Sequence, residues 1–239
     1  MKIYINPIGN LGDFLNSIPV LAGISRAHGK IDLLILNSMR KFLGIQDFLL
    51  YQNIFNSVFF DDEHDSDGYL VLNSLTREDK SSDIRPIETC RYENYFKDHY
   101  QIDFEVDDDF VLKYPELNVD VKSGYYVGDR WTRSAETDNR RKTDILKHLS
   151  NFNFIDFSQD MLTNTYIIAK SDKPFISTFT GVSNIADLLC KEHFVIWEDS
   201  MTNWDGKPIE YSFEKHYYKN RLGKLMYIRE FEQLLGINT

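Results

Sequence analysis

Cysteine, basic side chains and long apolar runs are all scarce in this chain, and each scarcity excludes something. Only Cys90 and Cys190 occur among 239 residues, far apart and in no metal-ligand spacing, which argues against a disulfide framework and a cysteine-bound zinc. No stretch approaches the roughly 18 to 20 consecutive apolar residues of a membrane span, and no basic segment leading into an apolar core opens the chain. These absences predict a soluble, unexported protein in a reducing, cytoplasmic setting. Lys and Arg total 27 against 37 Asp and Glu, for a net charge of -10. Non-specific nucleic-acid binding draws on phosphate neutralisation by basic side chains, so a broad surface of that kind is excluded. There is one local exception. Residues 129–147, "DRWTRSAETDNRRKTDILK", carry six basic and four acidic side chains, and read either as a solvated helix approach or as a site for the phosphates of a nucleotide or nucleic acid.

What is present is the alternation of an α/β protein, with 42% apolar residues to build a sizeable core in one large domain or two small ones. "KIYIN" reads as a short buried strand bounded by Pro7 and Gly9. From Asp13, the residues Phe14, Ile18, Leu21 and Ile24 keep a helical period that Gly29 can end. "KIDLLILN" is an uninterrupted apolar strand of the kind buried on both faces of a parallel sheet. A helical "RKFLGIQDFLLYQ", a strand "SVFFDD", an acidic loop "EHDSDG" and a strand "YLVLNS" complete an open parallel sheet. Between Leu75 and Val121 the pattern gives way to polar, aromatic-rich text with one helix near Tyr92 to Tyr100 and then extended chain, and the boundary falls here. Alternation resumes with strands "GYYVGDRW", "FNFIDFS", "PFISTF" and "HFVIWED" between the helices "KTDILKHLS", "DMLTNTYIIAKS" and "GVSNIADLLCKE". The tail "EKHYYKNRLGKLMYIREFEQLLG" reads as helical. Residues 1–118 and 119–239 thus form two α/β units, the last helix being able to pack back on the first. No solenoid repeat or low-complexity tract occurs.

In open α/β sheets ligands bind beyond the carboxyl ends of strands, so the loops there are where chemistry is sought. The first is "NPIGNLGDFLNSIP", where Gly9 and Gly12, with Asn10 between them, let backbone approach a ligand closely. "GNLGDF" gives G-x-x-G rather than the dinucleotide fingerprint, the second strand ends on Asn37 and Ser38 rather than an acid, and there is no P-loop lysine, so a nicotinamide enzyme and a P-loop enzyme both fit poorly. Asp13 has two readings: a helix N-cap accepting backbone N–H bonds, or a general base at the sheet edge. The second loop is "STFTGVSNIADLL", where Thr180, Gly181, Ser183 and Asn184 offer hydroxyl, amide and free N–H groups suited to a phosphate or diphosphate. Alternatively Thr180 or Ser183 only caps the helix.

Together the two loops resemble the heptosyltransferase-like glycosyltransferases, family 9. "NPIGNLGDFLNSIPVLAGISRAHGKIDLLI" is similar to that family's N-terminal strand, G-x-[IL]-G-D turn and proline-bearing helix, and "FTGVSNIADLL" to its C-terminal "DTGxxHxA" segment. The resemblance implies a shortened fold of the glycosyltransferase-B type, two Rossmann-like lobes facing a cleft, with residues 1–118 as the acceptor-side lobe and 119–239 as the nucleotide-sugar lobe. It implies an inverting transfer in which Asp13 deprotonates the acceptor hydroxyl, with Gly9, Asn10 and Gly12 on the acceptor side and Thr180, Gly181, Ser183 and Asn184 at the donor diphosphate. No metal or other cofactor is expected, the nucleotide sugar being a substrate and helix N-termini and basic side chains neutralising the diphosphate. Arg130, Arg133 and Lys142 compete for the family's basic residue, and Asp160 for its ribose-contacting acid. The chain departs from the motif at Phe179, where the family has Asp, and at Asn184, where it has His. The acceptor is either a saccharide or, given the basic stretch, a hydroxymethylated base in DNA. A non-catalytic nucleotide- or partner-binding protein of the same fold is the competing expectation.

The remaining clusters read as structural. "DDEHDSD" (Asp61 to Asp67) and Asp107 with Asp109 could hold a divalent metal but match solvated acidic loops better. His64, His193 and His216 have no partner at catalytic spacing and are read as surface or packing residues. "RYENYFKDHY" is read as burying Tyr95 and Phe96, with stacking on an acceptor as the alternative.

Overall fold

The computed structural model describes residues 1–6, 11–73, 83–128, 152–197, 202–203 and 206–236. The first sheet holds β1 (Lys2–Asn6), β2 (Ile31–Ile35), β3 (Phe55–Phe60) and β4 (Leu70–Asn73), all parallel, in the order β3-β2-β1-β4. The apolar run of β2 lies between two neighbours and buries Leu33 and Leu34, on opposite faces, completely. Such burial on both faces is what an unbroken apolar strand needs.

The helix expected from Asp13 is two helices, α1 (Leu11–Leu15) and α2 (Ile18–His28). Pro19 lacks an amide hydrogen and disfavours helical backbone before it, so it is tolerated only where a helix begins, and it occupies the first turn of α2. The Ser17 amide and hydroxyl both donate to Phe14 O, at 2.9 and 2.6 Å. The expected stripe of Ile18, Leu21 and Ile24 is fully buried. A 3-10 turn at Asn37–Lys41 and α3 (Ile45–Tyr51) follow β2.

Between the sheets lies α4 (Ile87–Asn94), continued by a π turn at Tyr95–His99. Phe96 is fully buried and Tyr95 half-buried, stacked on His99. The Tyr100 hydroxyl pins this segment to β4, donating to Val71 O and accepting from Val71 N. Residues 101–125 form no strand or helix. They pass so close to α2 that a Cβ on Gly23 would lie 2.0 Å from Glu105 O.

The second sheet holds β5 (Tyr126–Gly128), β6 (Asn153–Phe154), β7 (Phe175–Ser177), β8 (His193–Trp197) and β9 (Gly223–Tyr227), all parallel, in the order β6-β5-β7-β8-β9. Its helices are α5 (Met161–Lys170), α6 (Gly181–Leu188), α7 (Ile209–His216) and α8 (Ile228–Leu234). Here the helical reading of the tail is corrected, because Gly223–Tyr227 is an edge strand on β8. Its residues are only partly buried, so the local pattern carries no alternation, and pairing with a neighbour decides the conformation. Helix α8 packs on β8 and β9 of its own sheet, and it is α7 that reaches across to α4. One continuous apolar core runs from Ile3 and Leu33 through Phe104 and Phe110 to Phe175, Val182 and Ile185. No helix among the described residues is long and apolar enough to cross a membrane.

Candidate active site

The two glycine turns of the sequence lie at the carboxyl ends of β1 and β7, and the fold presses the helices they open against each other. A Cβ on Gly181 would lie 2.6 Å from Leu11 Cβ and 3.0 Å from Gly12 N, and one on Gly12 would lie 2.7 Å from Asn184 Oδ1. Space, rather than an unusual backbone angle, favours glycine at both positions, more strongly at Gly181, which meets Leu11 and the Gly12 backbone, than at Gly12, which meets the end of the Asn184 side chain. Further contacts close the seam. The Met161 amide donates to Leu43 O at 2.8 Å, the Leu112 amide to Leu188 O at 3.0 Å, and the Arg221 guanidinium to the carbonyls of Asp187, Asp108 and Phe110.

Asp13 is the third residue of α1, in its first turn rather than at its N-cap, and its side chain is 21% exposed. Its carbonyl accepts a bond from the Tyr92 hydroxyl at 2.8 Å. Beside its carboxylate stands His216, at the end of α7, with Nδ1 3.9 Å from Oδ1. Burial lowers the His216 pKa to about 3, helped by Lys215 and Arg91, so the ring facing Asp13 is neutral imidazole. Reading the sequence by spacing missed His216, because its contact is made through the fold.

Across the seam, α6 begins after Thr180, whose backbone is extended. The Ser183 hydroxyl is fully buried and engaged four ways, with Thr180 O at 2.6 Å, Thr178 O at 3.2 Å, Thr180 N at 3.3 Å and the Tyr217 hydroxyl at 2.5 Å. Ser183 therefore holds the turn in shape. The hydroxyls of Thr178 and Thr180 are shut from solvent; among the described residues Thr178 has no hydrogen-bond partner, and the Thr180 oxygen faces the Ser183 amide in a capping box, its own O–H left without an acceptor. Buried polar groups are normally paired, so two such hydroxyls at a helix N-terminus leave hydrogen-bonding capacity where the helix dipole already favours an anion. Asn184 faces the other way, its amide donating to His216 O at 2.7 Å and, more weakly, to Asn16 Oδ1 at 3.4 Å.

The departures from the motif acquire packing reasons. Phe179 sets its edge against Trp197, 5.4 Å between centroids, and lies 6.0 Å from the Tyr217 ring, forming an aromatic wall behind the turn. Asp160 caps α5, accepting from Thr163 N at 2.9 Å and from the Thr163 hydroxyl at 2.8 Å, and its Cβ sits where a Cβ on Gly44 would come within 2.8 Å. Both its oxygens serve the helix. Gly9, Asn10, Arg130, Arg133 and Lys142 lie outside the described residues. Part of each acidic cluster is engaged locally: Asp107 with Arg26, Asp108 with Arg85, Asp62 and Glu63 with Arg40, and Asp61 with the Tyr4 hydroxyl and the Asn37 amide. Among the described residues no group of three or more His, Cys, Asp or Glu is arranged to hold a metal.

No protein-family model matches the chain, and no curated protein matches its sequence. Solved structures do match in shape. E. coli heptosyltransferase WaaC with ADP aligns over 100% of both chains at 11% identity with a TM-score of 0.58. The same enzyme with ADP-2-deoxy-2-fluoro heptose aligns over 100% of both at 11% and 0.54. A glycosyl transferase family 9 structure from Veillonella parvula aligns over 98% of this chain and 89% of its own at 8% and 0.54. The chain has the two-lobed glycosyltransferase-B fold. The likeness that the glycine turns suggested is thus present in the fold of the whole chain, at an identity too low to be found by sequence.

Proposed function

We propose that this chain is a glycosyltransferase that moves a sugar from a nucleotide-sugar donor to an acceptor hydroxyl, in a single inverting displacement that needs no metal. The observation that carries the reading is the apposition of the Asp13 turn to the start of α6, where the buried Thr178 and Thr180 hydroxyls lie. Asp13 takes the acceptor proton as the acceptor oxygen attacks the anomeric carbon. The bond from that carbon to the diphosphate breaks, and the leaving diphosphate is stabilised by the N–H groups at the start of α6 and by the two threonine hydroxyls, in place of a cation. That the structural neighbours include a heptosyltransferase with ADP and with an ADP-sugar analogue supports a nucleotide-sugar donor.

A saccharide fits the acceptor side better than DNA. Among the described residues the carboxyl edge of the first sheet carries Asp61, Asp62, Glu63, Asp65 and Asp67, against Lys41 and Arg40, the latter itself paired with Asp62 and Glu63. Carboxylates accept bonds from sugar hydroxyls and repel a phosphate backbone. A thermal-shift panel of nucleoside diphosphates, nucleotide sugars and NAD tests the donor class, since a ligand that binds only the native state raises the melting temperature. One nucleoside diphosphate and its sugars should stabilise selectively. Stabilisation by NAD with none by any nucleoside diphosphate would overturn the proposal.

A further inference from the structure

The Asp13 carboxylate faces a histidine that lies outside both glycine-turn motifs. His216 ends α7, on the part of the chain that crosses back to α4, and its Nδ1 lies 3.9 Å from Asp13 Oδ1, shut from solvent and without a hydrogen-bond partner. Its carbonyl is fixed by the Asn184 amide at 2.7 Å, and Asn184 stands where the family motif has its histidine. Among the described residues the groups around the ring include Asp13 on α1, Asn184 on α6, Lys215 on its own helix, and Arg91 and Glu88 on α4. Glu88 pairs with both cations, at 3.0 Å each.

Resting on the reading of Asp13 as base, we propose that His216 is its positioning residue: Nδ1–H donates to Oδ1 and turns Oδ2 toward the acceptor hydroxyl. An unprotonated Nδ1 would oppose its lone pair to a carboxylate, whereas a protonated one is attracted to it, so the geometry selects the Nδ1–H tautomer. The separation exceeds a hydrogen bond and closes to one as the acceptor enters, since catalytic contacts tighten in the substrate complex. Neutrality matters here. A cation at this place would hold Asp13 ionised and weaken it as a base, while burial keeps the imidazole uncharged and lets it orient the carboxylate at a smaller loss of basicity than a cation would impose.

Two measurements on the full chain test the pair. In protein labelled with 15N-histidine, long-range proton–nitrogen spectra, with the His216 signal assigned by its loss in His216→Asn, should show the neutral Nδ1–H tautomer, shifting on Asp13→Asn. The Nε2–H tautomer, or no response to Asp13→Asn, would overturn the proposal, and these spectra decide the pair whether or not transfer is observed. In turnover of the nucleotide sugar that most stabilises the wild type, His216→Ala should lower kcat roughly 10- to 100-fold, the size of a lost hydrogen bond to a charged group, with donor KM within about twofold. His216→Asn, whose side-chain amide nitrogen falls near the Nδ1 position, should recover most of that loss. Equal loss in both variants, or a change confined to donor KM, contradicts a positioning role. A wild type that transfers no sugar from any nucleotide sugar would instead count against the glycosyltransferase reading itself.

Discussion

At the scale of single residues, three buried ionisable groups set how stability responds to pH. Desolvation raises the Asp187 pKa to about 7, outweighing the opposing pull of Arg221 and the bond its Oδ2 accepts from Tyr218 N. The native state therefore keeps a proton that the unfolded chain releases, and Asp187 withdraws stability as pH rises from about 4 through 7. His193 and His216 act in the opposite sense. Burial first of all lowers them to about 4 and about 3, so the unfolded chain binds protons that the native state refuses, and stability is lost as pH falls below roughly 6.5. Asp187→Asn should raise stability at pH 8 by roughly 2 kcal/mol, leave it unchanged near pH 4, and steepen the acid-side loss that the histidines cause. Melting curves of wild type and variant across pH 4 to 8 check this, and an equal shift at every pH would contradict it.

Elements explain how much could be read in advance. Gly181→Ala places a methyl against Leu11 and the Gly12 backbone and should cost about 1–3 kcal/mol by overpacking, lowering transfer as α1 and α6 are pushed apart. Unchanged stability and activity would show that the seam is looser than its geometry. The second glycine turn, and the strand and helix on either side of the first, were legible because a strand, a tight turn and a helix leave a local signature in residue type. The split at Pro19 was legible in principle, since Pro19 breaks a period that otherwise runs on. Strand β9 was not, because Gly223–Tyr227 is partly buried on an edge and takes its conformation from β8. The capping role of Ser183 was legible too, since its hydroxyl accepts from Thr180 N, whereas its contact with the Tyr217 hydroxyl, from beyond α7, was not. His216 was set aside for want of a neighbour in sequence, and its neighbour proved to be Asp13.

Across the whole molecule, the larger of two apolar clusters spans both sheets, the smaller one, around Ile176, Phe194 and Phe231, lying within the second unit. Ile3 and Leu33 of the first sheet belong to the same buried cluster as Phe175, Val182 and Ile185 of the second unit. Calorimetry should therefore record one cooperative transition, with equal calorimetric and van't Hoff enthalpies. Two resolved transitions would mean that the lobes fold independently. The alternation of strands and helices made this architecture readable from patterning alone, whereas the closeness of the two turns depends on contacts that no local pattern encodes.

The claim on which the rest depends is that Asp13 acts on the acceptor while the start of α6 holds the donor. Asp13→Asn keeps size and hydrogen bonding but removes the base, so it should bind the preferred nucleoside diphosphate with the affinity of the wild type and transfer sugar about 100- to 10,000-fold more slowly. Transfer by Asp13→Asn at the wild-type rate would contradict the claim.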